Sequence, residues 1–149
     1  GDVYKRQVQV KLALLADYAN VTAEGKLNIL GIFDRINVNA LPAVHPQMHL
    51  VLRFEAHPVE RERVHNVEIR LHDPDGQTIF DVKGDVVPHG QPGQTIASNQ
   101  ILTLNNLQLS KPGGYTFIVF VNNDLKMELM LGVEVAPTGS APPTPGGGP

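Results

Sequence analysis

Residues 10–38, VKLALLADYANVTAEGKLNILGIFDRINV, are the stretch that decides the fold. Two apolar runs in it flank the polar segment 22–26, TAEGK. Gly25 can adopt the positive φ of a tight reversal, so the stretch predicts two β-strands joined as a hairpin. The LALLADYA segment also contains good helix formers, but Val10, Val21 and the break at Gly25 favour extended pairing over a helix.

The two runs differ in their apolar patterns. The first alternates apolar with other residues, as a half-buried strand does, and its predicted core face consists of Val8, Val10, Leu12 and Leu14. The second run is apolar on both faces around Gly31-Ile32-Phe33. This pattern is typical of the centre of a sheet, so we predict that the second strand is covered on both sides.

The period-2 pattern continues downstream, after a proline-containing connection at residues 41–46. The further predicted strands cover residues 47–56, 67–72, 78–82, 101–109, 115–121 and 125–133. Turn signals separate them at 73–76, 111–114 and 122–124, and residues 88–94 predict a surface loop. In the third strand, the predicted core side comprises Met48, Leu50, Leu52 and Phe54.

The apolar phase changes once within the strand at residues 101–109. Leu107 and Leu109 are out of step with the residues before Asn105-Asn106. A β-bulge at the two asparagines would return both leucines to the core, and we predict one there.

These elements predict an all-β fold, an antiparallel β-sandwich of about eight strands with an immunoglobulin-like outline. A small closed β-barrel is the alternative. The predicted domain covers residues 8–135. Residues 1–7 differ in character and are interpreted as a sequencing or assembly artefact, and the Pro/Gly-rich residues 136–149 are predicted to be a disordered tail.

Composition excludes several classes of function. The net charge of −3, with dispersed basic residues, provides no footprint for nucleic acid. No apolar run approaches the roughly 20 residues that cross a bilayer, and no export signal is visible, so we expect no membrane partner and a cytoplasmic location. The chain has no cysteine, which excludes disulfides and thiolate metal sites.

Two stretches carry a resemblance to a known family. They are residues 14–19 with 24–34, LLADYA and EGKLNILGIFD, followed by a proline at position 42, and the closing segment KPGGY at 111–115 with Val121-Asn122 and Lys126. The chain resembles a family of small uncharacterised bacterial β-sandwich proteins over residues 8–135. The resemblance implies a bacterial β-sandwich domain of unknown function, and it carries over no catalytic residue.

The candidate metal ligands in the sequence are its six histidines, His45, His49, His57, His65, His72 and His89. Their spacing matches no recognised ligand motif, so solvated histidines are favoured, with a surface pair of His49 and His72 on neighbouring strands left open. Asp73-x-Asp75-Gly76 is similar to the start of a calcium loop, but position 84 is glycine where a bidentate glutamate is required. A plain hairpin turn is therefore favoured, and no metal or cofactor is predicted.

Catalytic and sugar-binding residues are equally weakly indicated. Acids at strand ends, Asp17, Asp34, Asp81 and Asp85, are interpreted as exposed, and Ser98 and Ser110 lack a nucleophile-elbow context. The asparagines could bind a sugar, but turn and bulge chemistry explains them, and the chain has no tryptophan for stacking. The asparagines in question are Asn105, Asn106, Asn122 and Asn123.

The sequence therefore favours a non-enzymatic module that binds another protein, through an exposed sheet edge or through the loop at residues 85–98. The alternative is a small-ligand or carbohydrate-binding module, which requires Asn105 and Tyr115 on one concave face. An enzyme is the third hypothesis. It requires at least two of four residues to converge in a cleft: Asp17, Asp34, His49 and His72.

Overall fold

The computed structural model describes residues 7–137. Nine strands and a short 3-10 helix, Pro58–Glu60, form the described part of the chain. The strands are β1 Gln9–Val21, β2 Leu27–Phe33, β3 Arg35–Val38, β4 Ala43–Ala56, β5 His65–His72, β6 Thr78–Val86, β7 Ile96–Leu109, β8 Gly113–Val121 and β9 Asp124–Val135. The predicted artefact at 1–7 and tail at 136–149 lie almost entirely outside the described residues.

The strands form two sheets, a four-stranded sheet ordered β2-β1-β4-β7 and a five-stranded sheet ordered β3-β9-β8-β5-β6. Neither sheet closes on itself, so the predicted β-sandwich of immunoglobulin-like outline is confirmed and the barrel alternative is wrong. The one departure from antiparallel pairing is β3, which pairs parallel to β9. This four-residue strand was not predicted, because it follows β2 after only one residue, Asp34.

The core lies between the two sheets. The predicted core side of the third strand is confirmed, since Met48 and Leu50 have no exposed surface and Leu52 and Phe54 are 2% exposed. Across from β4, the five-stranded sheet contributes its own alternate residues. The largest of these are Leu71, Tyr115, Phe117 and Leu131. Burial of these side chains is the main stabilising contribution, because the chain has no disulfide.

The predicted core face of β1 is wrong beyond Val10. Val10 pairs with Phe54, but Leu12 pairs with Arg53, so β1 contains one extra residue at a β-bulge. An extra residue reverses every later side chain, because successive side chains point to opposite faces. Leu15 is therefore in the core, at 1% exposure, and the predicted core residues Leu12 and Leu14 lie on the outer face of the sheet.

The prediction that the second strand is central is also wrong. β2 is the edge of the four-stranded sheet, paired only to β1. Its outward residues Leu30 and Ile32 are 66% and 65% exposed. An apolar run on both faces of a strand therefore signals an uncovered apolar surface in this protein, not a buried one.

The phase change in β7 occurs without the predicted extra residue. Leu107 and Leu109 are in the core, at 7% and 0% exposure, as predicted. The pairing of β4 with β7 nevertheless keeps one register throughout, and only the position of Pro46 opposite Asn106 lacks a pair. Asn106 has a φ of 53°, in the left-handed region, and it lies opposite Pro46, which has no N–H. At this position the side that faces the core therefore changes in both strands together. β4 accordingly begins at Ala43, within the predicted connection.

The predicted hairpin turns are confirmed. Residues 22–26 join β1 to β2, with Gly25 at a φ of 87° and its N–H donating to the Thr22 carbonyl at 2.9 Å. Residues 73–77 join β5 to β6. Asn122 and Asn123 join β8 to β9 with φ values of 51° and 69°, the left-handed region that a two-residue hairpin loop requires.

Candidate functional site

The outer face of the four-stranded sheet carries apolar residues from all four of its strands. Paired residues of adjacent strands point to the same side, and Leu14 pairs with Val51, which pairs in turn with Ile101. Next to this row, Ala16 pairs with Ile32 and Tyr18 pairs with Leu30. We call these residues the outer apolar face: Leu14, Ala16, Tyr18, Leu30, Ile32, Val51 and Ile101.

The outer apolar face has a buried centre and an exposed margin. Val51 and Ala16 have no exposed surface although they lie outside the main core. Towards β2, exposure rises to 49% for Tyr18 and to about two-thirds for Leu30 and Ile32. The margin is therefore a contiguous apolar patch on two adjacent strands, and patches of this kind mark interaction surfaces.

A buried histidine fixes the position of Tyr18. His49, at 6% exposure, lies beside the Tyr18 ring with the two ring centroids 5.5 Å apart in an edge-to-face arrangement. Its Nδ1 donates to the backbone carbonyl of Asp17 at 3.2 Å, which orients the imidazole. His49 thus supports the patch from below and is not a solvated surface residue.

The edge beside this patch carries no charged side chain. β2 has the sequence LNILGIF, with no proline and no Asp, Glu, Lys or Arg. Edge strands usually carry charges or prolines that prevent pairing with other chains. Within β2, Gly31 has a φ of 71°, and a Cβ there would lie 2.5 Å from the Asp17 carboxylate oxygen. Glycine is therefore required at this position for two reasons, the backbone conformation and the close approach of Asp17.

The outer face of the five-stranded sheet is charged. The Arg70 guanidinium contacts Glu68 at 2.9 Å and Asp81 at 3.3 Å, and it lies over the Phe120 ring at 4.6 Å from the centroid. The hydrogen bond to Glu68 is the main cause of a raised Arg70 pKa. The side chains of these pairs are partly exposed, so the ion pairs keep this surface polar without contributing much stability.

The Asp73-x-Asp75 pair belongs to a hairpin turn, as predicted, and not to a calcium loop. Asp73 Oδ1 accepts hydrogen bonds from the backbone N–H groups of Asp75 and Gln77, both at 2.9 Å. Lys111 Nζ contacts Asp73 at 3.1 Å and Asp75 at 2.5 Å. The carboxylates are thus already engaged by backbone donors and by an ammonium group.

These contacts shift the pKa values of Asp73 and Lys111. Partial burial acts to raise the pKa of Asp73, but the hydrogen bonds from Gln77, Lys111 and Asp75 outweigh it and place the pKa below its ordinary value of 3.8. The hydrogen bonds to Asp75 and Asp73 raise the pKa of Lys111 above 10.5. Beside them, the buried Tyr115 hydroxyl donates to the Lys111 carbonyl at 2.7 Å, which ties the β7–β8 turn to the core.

The structure separates His49 from His72, so the surface pair that the sequence left open does not form. His49 lies on β4 in the four-stranded sheet and His72 lies on β5 in the other sheet. Within residues 7–137, no group of three His, Asp or Glu side chains is placed to hold a metal ion. No helix in this part of the chain is long and apolar enough to cross a membrane.

The other histidines have structural contacts. His65 is 3% exposed, accepts a hydrogen bond from Asn122 Nδ2 at its Nδ1 and donates from Nε2 to the Glu60 carbonyl at 3.2 Å. His57 Nδ1 accepts from the Val59 N–H at the start of the 3-10 helix, and His89 contacts Glu62 at 2.8 Å. The ring of His45 lies 5.9 Å from that of Phe33.

The residues proposed for catalysis or sugar binding are not brought together. Asp81 pairs with Arg70, and none of Asp17, Asp34, His49 and His72 lines the best-formed clefts among residues 7–137. Asn105 is exposed on β7, where it accepts a hydrogen bond from Gln47, whereas Tyr115 is 1% exposed in the core. Asn105 and Tyr115 therefore do not share a concave face, as the carbohydrate hypothesis required.

One apolar cleft opens at the side of the sandwich where β6 and β7 are the sheet edges. It has a volume of about 210 Å³ and reaches the core residues Leu52, Phe54 and Ile69. Gly84 lies on its rim, and a Cβ added there would have no atom within 4 Å. The missing side chain on the core-facing side of β6 leaves open space above these core residues.

Comparisons with known proteins relate the chain to one family. A family model described as a family of unknown function, DUF6941, matches residues 11–134. This confirms the resemblance to an uncharacterised family. No curated protein matches the chain.

Among solved structures, the chain is similar at 9% identity to a β-glucosidase from Listeria innocua in complex with isofagomine, with 86% of this chain and 16% of that chain covered and a TM-score of 0.47. The alkylpurine DNA glycosylase AlkC from Pseudomonas fluorescens, bound to DNA containing an abasic site analog, is similar at 10% identity, with 85% and 30% covered and a TM-score of 0.45. An immunoglobulin-like protein from Pseudomonas aeruginosa is 16% identical, with 86% and 97% covered and a TM-score of 0.42. The chain spans less than a third of the glucosidase and the glycosylase.

Proposed function

Since the chain belongs to this family of unknown function, we propose from its surface that it is a non-enzymatic β-sandwich module that binds another protein. The binding surface is the edge strand β2 together with the exposed margin of the outer apolar face. The observation that carries the proposal is the exposure of Leu30 and Ile32, each about two-thirds exposed on an edge strand without charge.

This surface offers a partner two kinds of interaction. Within residues 7–137, β2 is the last strand on its side of the sheet, so its outer edge offers backbone N–H and C=O groups to which an extended segment can add as a further strand. The side chains of Tyr18, Leu30 and Ile32 then act as apolar anchors beside that strand. Full burial of a leucine or isoleucine contributes about 1.5–3 kcal/mol, so burying the exposed parts of Leu30 and Ile32 contributes about 2–4 kcal/mol together.

The loop hypothesis has less support. β6 ends at Val86 and β7 begins at Ile96, so the loop comprises residues 87–95 and not 85–98. Its exposed residues, including Gln91, Pro92 and Gln94, are polar or small. Such a loop provides no apolar anchor comparable to Leu30, whereas interface energy is concentrated in anchors of that kind.

A small-ligand site, the runner-up, would use the cleft beside Gly84. Its volume of about 210 Å³ lies below the ≈ 300–1,000 Å³ of typical ligand pockets, which are mostly apolar. A larger cleft of about 430 Å³ lies on the outer side of β6, but its lining includes the charged residues Glu68, Lys83 and Asp85. Phe120, an aromatic ring on the adjoining outer face, has the Arg70 guanidinium above it, so that side of the ring is not free to stack on a sugar. We therefore rank protein binding first.

Site-specific photo-crosslinking tests the proposal. A photoreactive phenylalanine analogue at position 32 is expected to capture a discrete partner from a lysate of the source organism. The same analogue at position 130 is the matched control, because Met130 is 63% exposed and apolar but lies on the five-stranded sheet.

A competing pair of variants makes the result specific. Leu30→Lys combined with Ile32→Lys is expected to abolish capture of that partner by full-length tagged protein, and Met130→Lys is expected to leave it unchanged. Equal capture from positions 32 and 130, or a partner retained by the double lysine variant, would contradict the proposed surface. Turnover of a small substrate by the purified chain would contradict its non-enzymatic character.

A further inference from the structure

The edge strand of the other sheet, β6, carries a short segment with an unusual arrangement of charge. Residues 82–86 read VKGDV. Val82, Gly84 and Val86 pair with Ile69, Val67 and His65, which are buried, so they face the core. Lys83 and Asp85 pair with Glu68 and Asn66 and therefore lie on the outer face.

Neither charge on this segment has an ion-pair partner within residues 7–137. The cross-strand neighbour of Lys83 is Glu68, but its carboxylate contacts Arg70 at 2.9 Å instead. Asp85 pairs across to Asn66, an uncharged residue. An edge strand thus presents one free cation and one free anion, two residues apart on one face.

The segment is self-complementary about Gly84. In an antiparallel pair of two identical strands centred on Gly84, Lys83 of each copy stands opposite Asp85 of the other. Val82 of each copy stands opposite Val86 of the other on the core side. In this arrangement each charged residue therefore lies opposite a residue of the opposite charge, and each valine lies opposite a valine.

We propose that two copies of this chain associate through β6, which pairs with β6 of the second copy in antiparallel fashion with the two-fold axis at Gly84. The two five-stranded sheets then become one continuous sheet. A two-fold arrangement is closed, so this contact produces a dimer and not a fibre. The inference is independent of the proposed function, which uses the edge of the other sheet.

The glycine on the axis supports this assignment. Nothing within the monomer requires glycine at position 84, because its φ lies outside the left-handed region and an added Cβ would meet no atom within 4 Å. Glycine inside a strand often marks a place where another backbone approaches closely. On the two-fold axis that backbone is the same residue of the second copy.

The cleft at this edge also supports the assignment. It reaches core residues beside β6, and a strand added beyond β6 points its core-side residues to the same side of the sheet. Val82 and Val86 of the second copy would therefore cover the mouth of the cleft. Val82, which is 39% exposed in the monomer, would lose exposed apolar surface on association.

Charge reversal tests the pairing, with sedimentation velocity of the full chain across the micromolar range as the measurement. Wild type is expected to form a dimer that weakens with added salt. Lys83→Asp and Asp85→Lys each replace two attractions by two repulsions, so each is expected to weaken association about tenfold or more. The double variant Lys83→Asp/Asp85→Lys restores both pairs and is expected to return the dissociation constant to near that of wild type.

Glu128→Lys is the matched control for Asp85→Lys, because it makes the same charge change on β9, away from the edge. It is expected to leave association unchanged. A monomer at all concentrations, a dimer indifferent to both single reversals, or failure of the double variant to recover would overturn the proposal.

A cysteine on the axis provides a second, independent measurement. The chain has no cysteine, so Gly84→Cys introduces a single thiol, and its side chain has open space in the monomer. Directly opposed residues lie about 4.5–5.5 Å apart between Cα atoms, within the range that a disulfide spans. Mild oxidation is expected to give a covalent dimer for Gly84→Cys and none for Val82→Cys, which is off the axis. Equal crosslinking of both variants would overturn the register.

Discussion

The edge strands β2 and β6 each contain one glycine, and the two glycines are there for different reasons. Gly31 has a positive φ and lies against the Asp17 carboxylate, so the fold of the monomer requires it. Gly84 has an ordinary backbone conformation and open space around it. The comparison shows that an intramolecular requirement explains the first glycine, whereas nothing within residues 7–137 requires the second.

The same contrast extends to the two outer faces. The face next to β2 is apolar, with Val51 and Ala16 fully buried and Leu30 and Ile32 exposed. The face next to β6 carries the ion pairs of Arg70, together with Lys83 and Asp85, which form no ion pair with the other residues that the structure describes. One edge is therefore suited to bind through apolar anchors and the other through matched charges, and the two need not compete for one partner.

The largest expected effect on stability comes from adding a side chain at Gly31, and Gly84 is the comparison. Gly31→Val is expected to lower the free energy of unfolding by about 3 kcal/mol or more, because a branched side chain at positive φ is strained and would also displace Asp17. Gly84→Val is expected to change it by less than about 1 kcal/mol, since valine suits a strand and the space is open. Denaturant unfolding at low protein concentration measures both. Equal costs would remove the distinction between the two edges.

The next largest expected effect on stability is at the centre of the outer apolar face, and a partly exposed valine on β6 is the comparison. Val51→Ala is expected to cost about 1.5–3 kcal/mol, because two fully buried methyl groups are lost and a cavity remains. Val82→Ala, at a residue that is 39% exposed, is expected to cost less than about 1 kcal/mol in the monomer. A negligible cost for Val51→Ala would mean that the outer face does not contribute a second apolar layer.

Local patterns predicted much of this fold because the determinants were local. The hairpin at Gly25, the turn at Asp73 and the alternation of β4 each depend on neighbouring residues, and all three are confirmed. The faces of β1 and β2 could not be derived in this way. A single bulge residue near Lys11 reverses the side chains after it, and the sequence there carries no signal for an insertion.

The candidate site was harder to predict because it depends on strand order. Whether the apolar run around Leu30 is central or at an edge is decided by which strand lies beside it, and no local pattern specifies that. His49 and His72 were separated for the same reason, since their strands lie in different sheets. The absence of charge in β2 was visible in the sequence, but it becomes informative only after the strand is known to be an edge.

A smaller effect is expected in the turn that joins β5 to β6. The pKa of Asp73 is lower in the folded protein than its ordinary value of 3.8, so its charge contributes stability above that pH, and this contribution is lost as the pH falls through the folded pKa. Asp73→Asn keeps an oxygen that accepts the two backbone hydrogen bonds but removes the charge opposite Lys111. The variant is expected to show a weaker loss of stability below pH 3.8 than wild type, measured by urea unfolding midpoints.

Asp124→Asn, at the first residue of β9, is the control for that measurement, and it is expected to follow the wild-type profile. Lys111 gives the complementary test at high pH. Its pKa is raised above 10.5 in the folded protein, so the stability it contributes is present below that pH and is lost as the pH rises through the folded pKa. A variant with Lys111→Met should not show this loss.

The smallest effect on stability is expected for the lysine substitutions at Leu30 and Ile32, which are expected to have the largest effect on binding. Leu30 and Ile32 are about two-thirds exposed, so replacing both by lysine removes little buried surface, and lysine on an edge strand is well tolerated. The free energy of unfolding is expected to change by less than about 0.5 kcal/mol per substitution, measured by urea unfolding. If the double variant is instead strongly destabilised, the two side chains support the sandwich itself, and the apolar edge is then part of the core and not a surface kept open for a partner.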